Sequence, residues 1–202
     1  MDDLRIIVGL GNPGAEYART RHNAGFMLVE LLAKRWKAAW RAEKKFQSQI
    51  ARTERSGARL VLCEPQTFMN ASGEAVGALM KFYQSPVTKL VVAVDDADLP
   101  FGEIRLRPGG GSGGHHGLES IAAHLSSKDF ARLRIGIGRM DGLREITGHV
   151  LGRLGADEMA MMEKILARAA DQIECWIAHG LQKAMSQFNG VIEDSTNEGT
   201  KQ

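Results

Sequence analysis

Leu4-Arg5-Ile6-Ile7-Val8-Gly9-Leu10-Gly11-Asn12-Pro13-Gly14 is the stretch whose reading decides the fold. An apolar, β-branched run stops at a cluster of glycines, asparagine and proline, so it reads as a buried strand entering a tight turn. Beyond it, Phe26, Val29, Leu32, Ala33, Trp36 and Trp40 fall at helical spacing and predict a helix over 23–40. The alternation continues downstream. Residues 47–53 and 59–63 flank Ser56-Gly57 and predict a hairpin. Asn70 or Ser72 is placed to cap a helix with an apolar face of Val76, Leu79, Met80 and Phe82 or Tyr83; Pro86 lies past its end. A buried strand is predicted at 90–94, an edge strand at 103–107 and a further strand at 133–138. Helices are predicted at 118–125, 156–178 and 181–188. Strands alternating with helices imply a single α/β domain: a twisted mixed β-sheet, helices packed on both faces, functional groups at strand ends. That domain is expected over 1–190, followed by a polar, disordered tail over 191–202.

Composition narrows the function classes. Hydrophobic residues make up 44% and charged residues 25% of the 202 residues, an ordinary globular balance that needs no disulfide or metal staple. The two cysteines, Cys63 and Cys175, have no metal-like or redox spacing and read as buried thiols in a reducing compartment. The acidic opening Met1-Asp2-Asp3 is unlike a secretory leader, and no run nears the ~20 apolar residues of a membrane span. A cytoplasmic protein without a membrane partner is expected. Net charge is only +2, so a nucleic-acid site would have to be a local basic patch.

Gly9, Gly11 and Gly14 match the dinucleotide-binding spacing. The context does not fit. Pro13 stiffens the turn, and no second strand ends in an acidic residue about 20 positions on. The simpler reading is a tight turn.

Four polar sites end strands or occupy turns: Asn12, Thr20-Arg21-His22-Asn23, Phe68-Met69-Asn70 and Asp95-Asp96-Ala97-Asp98. Asp95 ends an apolar strand, where an unpaired carboxylate is costly, so it needs a partner or caps the next turn. A histidine such as His22 suits the first role. A His–Asp pair with no Ser or Cys nucleophile nearby points to water activation without a covalent intermediate. Asn70 reads as a helix N-cap, which propensity favours, or as an amide for substrate recognition. Phe68 and Met69 read as core residues or as an apolar surface for a base or sugar. The acids and histidines are numerous enough for a metal, but H-x-x-x-H and H-E-x-x-H spacings are absent, so metal independence is expected. The glycine loop 109–114 precedes a helix, with Arg105 and Arg107 upstream, and reads as a phosphate site or a solvated linker.

Together IVGLGNPG (7–14), YARTRHNAGF (17–26), PQTFMNASG (65–73), DDADLPFG (95–102), GGHHGL (113–118) and RLRIGIGR (132–139) closely resemble the bacterial type of the peptidyl-tRNA hydrolase family, in order and spacing, up to the tail. The resemblance implies a monomeric, cofactor-free α/β enzyme. Its partner is peptidyl-tRNA, whose ester between peptide and 3′ ribose it cuts to recycle the tRNA. Position by position, it implies that His22 is the general base and that Asp95 supports it. Asn12 discriminates blocked from free aminoacyl-tRNA. Tyr17, Phe68, Met69 and Asn70 line the site, and Arg105, Arg107 and Arg134 contact tRNA phosphate. Two departures from the family pattern are present. His116 stands where the family usually has Asn, which makes the charge there pH-dependent. Arginine replaces lysine at 105 and 107, which serves phosphate at least as well. Two competing readings are a nucleotide-dependent oxidoreductase and a non-catalytic RNA-binding relative. The presence of both His22 and Asp95 argues against the second.

Overall fold

The computed structural model describes residues 3–138 and 150–192. In chain order the elements are β1 (Leu4–Gly9), α1 (Ala24–Trp36), β2 (Trp40–Glu43), β3 (Ser48–Arg55), β4 (Ala58–Pro65), α2 (Ser72–Tyr83), β5 (Leu90–Asp96), β6 (Glu103–Arg107), α3 (His116–Leu125), β7 (Ala131–Gly136), α4 (Ala156–His179), α5 (Leu181–Phe188) and β8 (Gly190–Val191). They build one mixed sheet in the order β2-β3-β4-β1-β5-β7-β6-β8. The central pairs β4–β1, β1–β5 and β5–β7 are parallel and the flanking pairs antiparallel. Helices α1, α4 and α5 cover one face and α2 and α3 the other. Strand β1 is buried on both faces: Ile7 packs toward α1, while Ile6 and Val8 pack toward α2. A central strand covered on both sides reads as a continuous apolar run, which is why 4–10 carries the fold signal.

Three sequence expectations change. The first helix stops at Trp36, not Trp40. Lys37 takes the left-handed conformation (φ 54°) and its N–H closes on the carbonyls of Ala33 and Lys34. Trp40 then opens β2 opposite Ala51 of β3, so its helical spacing is coincidental. The third buried strand begins at Ala131, because Ala131 and Arg132 pair with Val91 and Val92 of β5. Strand β6 is not a bare edge, since two-residue β8 pairs with Glu103 and Ile104. The hairpin forms as expected, with Ser56 (φ 49°) and Gly57 (φ 77°) both left-handed, the geometry of a type I′ turn. The expected tail falls largely on 193–202, outside the described residues. Cys63 and Cys175 are buried and unpaired. Among the described residues no helix is long and apolar enough to cross a membrane.

The glycine turn serves packing. A Cβ on Gly9 would lie 2.2 Å from the Gly25 carbonyl oxygen, and one on Gly25 would lie 2.3 Å from that of Ala93. The first turn of α1 therefore crosses the ends of β1 and β5 at backbone contact. This accounts for the glycine spacing without a nucleotide, and it delivers the residues just before α1 to the strand ends.

One buried group limits stability at alkaline pH. Glu64, the next-to-last residue of β4, has its Oε1 unpartnered. Burial, with the Glu30 carboxylate nearby, pushes its carboxyl up to about 8. The folded state therefore holds a proton that the unfolded chain releases near the ordinary Glu value, and stability falls as pH rises from about 4.5 through 8. Glu64→Gln removes this titration. It is expected to stabilise the fold at pH 9 by about 1–3 kcal/mol, the usual cost of an unsatisfied buried group, and by little near pH 5. Thermal unfolding at both pH values checks this, and equal gains at both would contradict it.

Candidate active site

The carboxyl ends of β1 and β5 meet the 3₁₀ turn Arg21–Asn23, which leads directly into α1. His22 Nδ1 lies 2.9 Å from Asp95 Oδ1 and 3.1 Å from Oδ2. Asp95 is 3% exposed. A second histidine completes the arrangement: His115 Nε2 lies 3.1 Å from Asp95 Oδ1. His115 is also the N-cap of α3, where its Nδ1 accepts the N–H groups of Gly117 and Leu118. That acceptance fixes its tautomer. The ring proton of neutral His115 must sit on Nε2 and point at Asp95. Asp95 thus receives two N–H groups. Burial works against its charge, but the hydrogen bonds from His115 and His22 outweigh burial and hold the carboxyl below the usual carboxylate range.

Donor atoms of His22, Asp95 and His115 lie within 4.8 Å of one another, close enough to bracket a metal ion. The hydrogen bonding fits a metal poorly. An ion on His115 Nε2 would force the ring proton onto Nδ1, into two backbone N–H donors.

His22 Nε2 has no partner among the described residues, and His22 lines a cavity of about 410 Å³. Asn12, Asp95, His116 and Arg134 share that wall, as do Val150 and Leu151. Asn12 is held on three sides. Its backbone N–H donates to Asn23 Oδ1 (2.9 Å), its carbonyl accepts from Asn23 Nδ2 (3.0 Å), and its own Oδ1 accepts the Met69 N–H (2.9 Å). These contacts leave the Asn12 amide NH₂ for the cavity. His116 is 77% exposed at the rim, 3.1 Å from Glu119.

The other named residues lie outside this cavity. Tyr17 is half-buried in the turn before Thr20. Met69 is buried behind Asn12, whereas Phe68 is 63% exposed. Asn70 is exposed in the 3₁₀ turn Met69–Ala71, and neither that turn nor α2 has a side-chain cap, so the N-cap reading falls. Arg105 and Arg107 line an adjoining cavity of about 460 Å³ that shares Asp96 and Arg134 with the first. Across β6 and β7, Arg105 faces Arg134 and Arg107 faces Arg132. Like charges directly opposed cost stability, so such a face is suited to an anion. Arg105 is paired with Glu103 at 2.8 Å. Arg134 donates to Asp96 (2.8 Å) and to the carbonyls of Gly111 (2.8 Å) and Ser112 (3.2 Å), which occupies its guanidinium. The region around 148–155, for which the sequence gives no role, is described only from Val150. There the chain bridges back to the site turn through Thr20 and Arg153, and through Arg21 N–H on the Gly152 carbonyl.

Three residues of the site escape sequence reasoning. From sequence His115 is only one of the histidines counted for a metal and set aside for want of ligand spacing, although its place just before a helix signals a cap. Asn23 has no role beyond its motif. Arg132 carries no signal beyond its charge.

Fold and site define the class: an α/β protein that holds one buried carboxylate between two histidines at the ends of parallel strands. A family model described as peptidyl-tRNA hydrolase matches residues 6–198. A curated protein of that name from Desulforudis audaxviator is 48% identical over 186 residues, covering 92% of this chain and 93% of the relative. One from Synechococcus sp. strain JA-3-3Ab is 45% identical, covering 92% of this chain and 83% of the relative. The crystal structure of the Acinetobacter baumannii peptidyl-tRNA hydrolase superposes with a TM-score of 0.88 at 40% identity, covering 95% of this chain and 97% of that one. The chain belongs to the peptidyl-tRNA hydrolase family.

Proposed function

We propose that this enzyme hydrolyses the ester between a peptide, or an N-blocked amino acid, and the 3′ ribose of tRNA. The observation that carries the mechanism is the pairing of His22 Nδ1 with Asp95, which leaves Nε2 as the basic nitrogen on the cavity wall. Water attacks the ester carbonyl while its proton passes to His22 Nε2. Asp95 holds the Nδ1–H tautomer and stabilises the imidazolium that forms. The tetrahedral intermediate collapses, and the ribose oxygen leaves with the proton from His22. No acyl-enzyme forms and no metal takes part. The Asn12 amide, aimed by the Met69 N–H, recognises the blocked amino group. Tyr17, Phe68, Met69 and Asn70 flank the path of the 3′ end and peptide, with His116 at the rim. Arg105 and Arg107 bind tRNA backbone phosphate, and Arg134 supports that face through Asp96 and the loop. The enzyme acts as a monomer in the cytoplasm.

The experiment sets N-acetyl-aminoacyl-tRNA beside free aminoacyl-tRNA. Release of the N-acetyl amino acid, with the free aminoacyl ester persisting, is the expected result. Equal hydrolysis of both would remove the role given to Asn12. Hydrolysis of neither by folded protein would favour an RNA-binding relative.

A further inference from the structure

Between β6 and α3 the chain passes through a loop with glycine at 109, 110, 111, 113 and 114. Gly110, Gly113 and Gly114 are left-handed, at φ 135°, 64° and 78°. Ordering backbone costs conformational entropy, and glycine loses more of it than any other residue. Such a loop has no intrinsic reason to hold one conformation. Yet it ends in His115, whose Nε2–H must meet Asp95 at 3.1 Å.

Two arginines of β7 supply that reason. Arg132 is 2% exposed, with its guanidinium 4.6 Å from the Phe130 ring centroid. Its Nη1 donates to the carbonyls of Gly110 (2.5 Å) and Gly111 (2.9 Å), and its Nη2 to that of Lys128 (2.8 Å). Arg134 adds donors to Gly111 and Ser112, and its Nη1 ties them to Asp96, the residue after Asp95. The Gly113 backbone lies against the same guanidinium: a Cβ there would sit 3.1 Å from Arg134 Nη1. Hydrogen bonds from a charged guanidinium are roughly twice as strong as neutral ones. A fixed fork of donors suits adjacent carbonyls as a lysine point charge does not. A buried arginine committed to loop carbonyls rather than to a carboxylate calls for an explanation beyond the core.

We infer that Arg132 and Arg134 are positioning residues that clamp the glycine loop through its carbonyls and so deliver the His115 N–H to Asp95. Arg132 is the principal clamp and acts on the reaction only through His115, whereas Arg134 also lines the cavity and the phosphate face. The inference rests on the roles proposed above for His22 and Asp95, but the loop geometry is measurable without them.

The test combines a substitution cycle with a direct view of His115. Arg132→Lys is expected to lower kcat by about 10–100-fold with KM little changed, the scale of a small misplacement in an active site. His115→Ala should lower kcat at least as far. The double variant should be no slower than His115→Ala alone, because the two act in series. Effects that multiply would mean a general structural role and overturn the inference. In ¹⁵N NMR of the wild-type protein, His115 should show a single locked Nε2–H tautomer that becomes averaged in Arg132→Lys. Arg134→Met gives the same readout if Arg132 variants fail to fold. An unchanged His115 signal in folded variants of both arginines would overturn the clamp, whatever their activity. Failure of the wild type to hydrolyse its substrate would remove the proposed function but leave this signal in place.

Discussion

His22→Ala is expected to bind deacylated tRNA as tightly as wild type while hydrolysing N-acetyl-aminoacyl-tRNA roughly 10²–10⁴-fold more slowly, the range for losing a general base. The split follows from the geometry. His22 touches Asp95 and the cavity, while the tRNA face assigned to Arg105 and Arg107 belongs to strand β6 and an adjoining cavity. Removing the imidazole leaves Asp95 with the His115 N–H, so the buried carboxylate keeps a partner and the fold should hold. Single-turnover rates and a separate binding titration check this. Binding and rate falling together would place His22 in tRNA recognition or folding instead.

Asp95→Asn should cost almost as much, for a reason specific to this site. The amide offers one acceptor and one donor where the carboxylate offers two acceptors. His115 cannot adapt, because its Nδ1 is held by the N–H groups of Gly117 and Leu118 and its Nε2–H must find an acceptor. The substituted amide therefore turns its oxygen to His115, and its NH₂ meets His22 Nδ1. His22 then accepts at Nδ1 and carries its proton on Nε2, where the base is needed. Inverting the tautomer in the serine-protease triad costs about 10⁴-fold, and a loss approaching that is expected here. Proton-coupled ¹⁵N spectra should show the His22 proton moved to Nε2. A slow variant with the tautomer unchanged would leave only the charge argument, and a fast one would remove Asp95 from the mechanism.

Much of this arrangement is legible in the sequence. The runs at 4–10 and 90–94 declare themselves because strands buried on both faces read as unbroken apolar stretches. Their ends name Asn12 and Asp95, since a polar group closing such a strand must meet something. Boundaries set by backbone conformation are less visible. Nothing at Trp40 distinguishes a helix from an edge strand until Lys37 turns left-handed. Asn70 has the composition of a cap, but the chain enters α2 through a 3₁₀ turn in which no side chain caps. The least visible residues are those whose roles are pairwise. His115 matters through which nitrogen carries its proton, and Arg132 through loop carbonyls distant from it in the chain. Both depend on how the sheet sets β5 and β7 beside the glycine loop, which residue types alone do not encode.

The most direct test of the central claim is single-turnover release of the N-acetyl amino acid from N-acetyl-aminoacyl-tRNA by wild-type enzyme in excess EDTA. Undiminished release is predicted, because a water activated by His22 and Asp95 needs no metal. No release by the folded protein, or release that stops when EDTA is added, would contradict the account.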